Sequence, residues 1–194
     1  MSRDVRGACA LYYSYQVKDA TGKITVPFRR RAAHSFLIAY ARFLYLKFVA
    51  PVGQSINDTA NASQTILSWG PCDANTAAGT ATEGLVVGTG TNAVTLTDVA
   101  LQTRILHGTS AGTLDYGASV VAAPSSDSTS TTLILTRVFA NSSAGTITIR
   151  EIGIYATMGA VSTNPQFCIV RDLATITLVT GDQLTLNYIL KTTA

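Results

Sequence analysis

The C-terminal stretch from Ala174 to Leu190, ATITLVTGDQLTLNYIL, alternates apolar and polar residues on both sides of Thr180-Gly181-Asp182. Successive side chains of a strand point to opposite faces, so Ile176 and Leu178 share one face before the turn, and Leu184, Leu186, Tyr188 and Leu190 share one after it. Thr and Asn fill the other parity. The pattern predicts a β-hairpin in a sheet with one buried face. The same alternation recurs over the C-terminal two thirds of the chain: Gly84 to Val87 reads as a short strand, and Thr132 to Ala140 and Thr146 to Tyr155 as longer ones joined by Asn141 to Gly145. Ile147 and Ile149 have one parity and Ile152 and Ile154 the other, which predicts a β-bulge near Arg150-Glu151 that restores the inward face.

A chain of 194 residues is long enough to bury a core without disulfide staples. Its three cysteines, Cys9, Cys72 and Cys168, are odd in number and have no metal-binding CxxC spacing, so they read as buried thiols. Charged residues make up only 13% of the chain and the mean hydropathy is +0.27, so Ser, Thr, Asn and Gly must supply the polar surface. A weakly charged, apolar-rich chain is expected to spend surface in contacts with other subunits. The net charge of +3 is modest and concentrated at Arg29-Arg30-Arg31, which gives little ground for specific nucleic-acid binding. Residues 1–17 lack the long apolar core of a signal peptide, which predicts synthesis in a cytoplasm.

The N-terminal part differs. Gly7 to Val17, a turn at Lys18 to Lys23, and Ile24 to Val26 read as a first hairpin, and Ala32 to Val49 then runs without Gly or Pro and predicts a helix. Its apolar residues cover nearly the whole circumference, so it reads as a core or subunit-contact helix, with an interfacial membrane helix and a membrane span as alternatives. The span is the weakest of these, because roughly 20 apolar residues are needed and Arg42 and Lys47 interrupt the run. The three arginines read as the basic start of this helix, exposed to solvent or to acidic groups. Pro51 to Thr82, with only Thr65 to Trp69 strand-like, and Ala123 to Ser130 read as loops that make peripheral contacts.

Motifs with catalytic potential lack their required settings. Gly108-Thr109-Ser110-Ala111-Gly112 matches a nucleophile elbow beside His107, but that device needs a later His and His107 is the last one. Gly88-Thr89-Gly90-Thr91-Asn92-Ala93 imitates a dinucleotide loop, yet Val94 to Thr97 is β-prone where a helix should begin. His34 and His107 are in ligand spacing with no other His or Cys. The expectation is a protein that is not an enzyme and that carries no cofactor and no metal. The sequons at Asn57, Asn61 and Asn141 read as chance occurrences in an Asn/Ser/Thr-rich chain.

Three segments, Val87 to Thr91 leading into Leu96 to Leu101, Ile149-Arg150-Glu151-Ile152-Gly153-Ile154-Tyr155, and Arg171-Asp172 before the final strands, resemble small β-rich structural proteins of tailed-bacteriophage virions. The resemblance covers about Leu85 to Leu190 and does not account for the helix. It implies a virion location, tail-associated or capsid-decorating, with copies of the chain and other virion structural proteins as partners. The combined expectation is a mainly β protein, an antiparallel β-sandwich (jelly-roll-like) with one long N-terminal helix. Residues 1–50 would be a docking segment and 51–194 the sandwich domain. Candidate subunit-contact residues are Arg29, Arg30, Arg31, Phe36, Tyr40, Phe43, Tyr45 and Phe48. The rival expectation is a carbohydrate- or receptor-binding module in which Trp69, Tyr116 or Tyr155 stacks on sugar rings.

Overall fold

The computed structural model describes residues 9–33, 36–49, 53–67, 70–160 and 165–193. Its elements in chain order are β1 (Cys9–Lys18), β2 (Ile24–Ala32), α1 (Ile38–Val49), β3 (Gln54–Asn57), β4 (Ser63–Ile66), β5 (Cys72–Asp73), β6 (Gly84–Gly88), β7 (Asp115–Val121), β8 (Ser125–Ser126), β9 (Ser130–Ala140), β10 (Ile147–Met158), β11 (Gln166–Leu178) and β12 (Gln183–Thr193). A six-stranded sheet has the order β2-β1-β12-β9-β7, with β8 also on β9. A four-stranded sheet has the order β11-β10-β5, with β6 also on β10. Every pairing between these strands is antiparallel.

The apolar parities of the two sheets meet in one core. Leu11, Tyr13, Tyr15 and Val17 of β1 and Leu184, Leu186 and Tyr188 of β12 join Ile147, Ile149, Ile152 and Ile154 of β10 and Ile176 and Leu178 of β11. All four β10 isoleucines face inward because the register shifts between Ile149 and Glu151, the expected bulge. The alternation expected for the final strands also holds, but their pairing is different. β11 pairs with β10 in the smaller sheet, and β12 pairs with β1 and β9 in the larger one. The segment at Gly181 is therefore an arch that carries the chain from sheet to sheet, and Asn141 to Gly145, between β9 and β10, is a second.

The helix is a correction. It spans 12 residues, Ile38–Val49, and is not the long helix starting at Ala32. Arg29 to Ala32 pair instead with β1, Arg31 opposite Tyr13 and Ala32 opposite Tyr12, so backbone pairing overrides the helix propensity of that run. The arginines thus stand on a strand, not at a helix start. β1 lies between β2 and β12, so the N-terminal hairpin is built into the sandwich. The segment after residue 50 is also more ordered than a loop: β3 and β4 form a small hairpin, turned by Asn61 at φ 60°.

A third layer covers the outer face of the smaller sheet. The chain from Thr89 to Leu106 lies across it, and Val86, Leu101, Tyr155, Cys168 and Leu37 form a second apolar cluster there.

Candidate functional site

The expected contact residues separate into three groups. Arg29, Arg30 and Arg31 are exposed on β2, the edge strand of the larger sheet. Arg30 lies over the Tyr12 ring at 5.1 Å and Arg31 over Tyr15 at 5.7 Å, so aromatic faces from β1 hold both guanidinium groups. Pro27 sits in the same strand, where an edge tolerates its missing N–H. Strand edges of this charge resist pairing with another copy of themselves.

Phe36, Tyr40 and Phe43 form the second group. The Phe36 and Tyr40 rings stack at 4.3 Å, and with Phe43, Leu11, Leu135 and Tyr188 they line an apolar cavity of about 350 Å³ between the sheets. Burial raises the pKa of Tyr40, and that of the Cys72 thiol on the same cavity is pushed up to about 11. These side chains fasten α1 to the sandwich, together with Leu37 and Leu46, which are fully buried. Lys47, in the last turn, donates to the Gly70 carbonyl at 2.6 Å and lies over the Phe43 ring.

Tyr45 and Phe48 belong to the opposite face. With Ile38 and Val49 they recur at the spacing of one helix face, and all are exposed, Phe48 at 83%. Arg42 is exposed on this face too and reaches the Ser55 carbonyl at 2.9 Å. Among the described residues no helix is long and apolar enough to cross a membrane.

The three segments that carry the virion-protein resemblance meet at Glu151. The bulge places this residue, fully buried, on the outer face of the smaller sheet. Its Oε1 accepts the N–H groups of Gly90 (3.0 Å) and Thr103 (2.7 Å), and Oε2 accepts Gln102 N–H (3.0 Å) and Arg171 Nε–H (3.0 Å). Arg171 also donates to Asp98 at 2.6 Å and to the Asn92 carbonyl at 3.1 Å. The glycines of the Gly88 to Ala93 segment have steric reasons. A Cβ on Gly88 or on Gly90 would stand 2.5 Å from the Glu151 carboxylate. The segment that imitates a dinucleotide loop is therefore a strap held down by a buried carboxylate. Burial works against the Arg171 charge, and the carboxylates of Asp98 and Glu151 outweigh it and raise its pKa.

Arg137, with no counterpart among the sequence expectations, is fully buried in the main core. Its donors all reach main-chain carbonyls: Nε to Gly117, Nη1 to Glu83 and Leu85, and Nη2 to Thr80. The guanidinium packs 4.7 Å from the Tyr116 ring centroid, and burial draws its pKa down to about 10. The available signal was parity, since Arg137 occupies the same strand face as Leu133, Leu135 and Phe139.

Ser110 lies in an exposed turn closed by Thr113 N–H on the Ser110 carbonyl. His107 Nδ1 faces elsewhere, accepting Tyr116 N–H at 3.2 Å with Asp115 at 3.5 Å. Tyr116 and Tyr155, 0% and 2% exposed, are core residues and not sugar-stacking platforms. Trp69 and His34 lie outside the described residues. Comparison with protein-family models, with curated proteins and with solved structures returned no match.

Proposed function

We propose that this chain is a structural component of a tailed-phage virion, tail-associated or capsid-decorating, that assembles with copies of itself and with other virion proteins and performs no catalysis. The observation that carries the reading is the outward face of α1: Ile38, Tyr45, Phe48 and Val49 present apolar surface beside a framework with unusually few charges. Such a face suits the centre of a subunit interface, where aromatic side chains are enriched and charges depleted. The two sheet-to-sheet arches support reading the sandwich as jelly-roll-like. The arginines on β2 would select an acidic neighbour and discourage edge-to-edge pairing with the same strand.

Deleting the N-terminal segment cannot test this, because it would remove β1 from the larger sheet. The appropriate variant is Tyr45→Asp/Phe48→Asp, which alters only exposed side chains. Light scattering over a range of concentrations should give a discrete oligomer for the native chain and a smaller species for the variant, with circular dichroism unchanged. A native chain that is monomeric at every concentration, or a variant of undiminished mass, would overturn the reading.

A further inference from the structure

Two arginines, Arg137 and Arg171, are buried and fully engaged, and a third, Arg104, is half-buried. Arg137 is bound by four carbonyls and Arg171 by two carboxylates and a carbonyl. Arg104 is different. It follows Thr103, whose N–H is fixed by Glu151, and its backbone bridges to Gly88, so its position is set by the strap. Its guanidinium lies 5.9 Å from the centroid of the Tyr155 ring. Among the described residues, Arg104 Nε is the buried side-chain polar atom with no hydrogen-bond partner, and Arg104 forms no ion pair. A buried N–H donor left without an acceptor is costly.

This side chain lines a pocket of about 440 Å³, within the size range of small-molecule sites, together with Tyr155, Leu101, Leu106, Thr59 and Gln166. The walls are held in place. Thr59 donates its N–H to the Gln166 carbonyl at 2.9 Å, and the turn behind it is caged by Asp58, which accepts Ala60 and Ala62 N–H, each at 2.9 Å, and the Gln64 amide at 2.8 Å. Tyr155 Oη accepts Leu101 N–H at 2.7 Å, and its own proton meets no acceptor among the described residues. Burial pushes the pKa of that hydroxyl well up, so it stays a donor. Glu83, bonded to Gln166 at 3.2 Å, is also held by Thr157 at 3.0 Å and makes no ion pair with Arg104.

From this geometry we infer that the pocket bounded by Arg104, Tyr155 and the β3–β4 turn binds a small molecule that carries an oxyanion, a carboxylate or a phosphate, on an apolar body. The oxyanion accepts from Arg104 and from the Tyr155 hydroxyl. The apolar body lies against Leu101 and Leu106. The inference is independent of the assembly proposed above.

Calorimetric titration of the purified full chain with benzoate, phenyl phosphate and inorganic phosphate tests it. Saturable binding of benzoate, phenyl phosphate or both is expected, and the stronger of the two identifies the oxyanion. Arg104→Gln should weaken that binding about tenfold or more, the loss expected for a charge-assisted hydrogen bond, at an unchanged melting temperature. Ala60→Trp, on the exposed turn, should block the same pocket and provides the decisive arm if Arg104→Gln does not fold. Failure of benzoate and phenyl phosphate to bind, binding unaffected by both substitutions, or inorganic phosphate binding as tightly as phenyl phosphate would overturn the inference.

Discussion

Asn141 and Asp182 join the two arches of the sandwich through their backbones: Asn141 N–H donates to the Asp182 carbonyl at 2.9 Å. The Asn141 side chain then completes both turns. Its amide donates to the Gly145 carbonyl at 2.7 Å and the Leu178 carbonyl at 2.9 Å, and its oxygen accepts the Ser143 hydroxyl at 2.7 Å. Asn141→Ala leaves those buried groups unpaired and should cost about 2–4 kcal/mol in urea denaturation. Asn141→Asp keeps the shape but turns a carboxylate toward two carbonyls, and should destabilise at least as much. Retention of native stability by the Asp variant would show that the amide is not what closes the arches.

Glu151 holds the strap over the smaller sheet, and removing its charge leaves Arg171 with Asp98 as its carboxylate partner and weakens the acceptor that the facing N–H groups share. Glu151→Gln should cost about 2–4 kcal/mol, because the amide NH2 that replaces one carboxylate oxygen faces N–H donors. Arg150→Gln, on the exposed neighbour, should change stability by less than about 0.5 kcal/mol and serves as the control. Hydrogen exchange supplies the spatial check: the amides of Gly90, Gln102 and Thr103 should lose protection before those of β10 do.

Asp98 gives this network a pH dependence. Burial opposes its charge, but hydrogen bonds from Thr95 and Arg171 outweigh burial and hold its carboxyl below the ordinary value of 3.8. A group whose folded pKa is depressed stabilises the fold fully above its unfolded pKa and loses that contribution as pH falls through the folded value. Asp98→Asn should therefore cost about 1–2 kcal/mol at pH 7, and the gap from the native chain should close below about pH 4. Denaturation curves at pH 7 and pH 3 check this, and a gap that widens in acid would contradict it.

Strand faces were legible in the sequence, and strand partners were not. Ile176, Leu178, Leu184 and Leu186 all point inward as their parity requires, yet the strands they occupy lie in different sheets. Parity specifies a face, while partner choice is set by how the turn leaves the sheet, and here Asp182 Oδ2 accepts Val179 N–H to close a turn that crosses the sandwich. The bulge at Arg150-Glu151 was readable because it flips parity. The β3–β4 hairpin was not, since each strand carries a single isoleucine, Ile56 or Ile66. The same limit applies to the site. Tyr45 and Phe48 could be named from composition, but the division of α1 into a seated and an exposed face depends on what covers Tyr40 and Phe43. Glu151 and Arg171 lay in motif segments whose meeting is a property of the folded sheet alone.

Arg137 combines a charge with a core position, and its acceptors are four main-chain carbonyls. Arg137→Met has similar volume but leaves the carbonyls of Thr80, Glu83, Leu85 and Gly117 without that donor, so a loss of about 3–5 kcal/mol is expected. Arg137→Lys retains the charge, yet an ammonium on a single stem cannot reproduce the planar fork and should recover only part of the loss. Urea denaturation gives both magnitudes, and hydrogen exchange locates the effect, which should begin in residues 80–85. A Met variant within about 1 kcal/mol of the native chain would mean that water reaches those carbonyls and that the guanidinium is not their necessary partner.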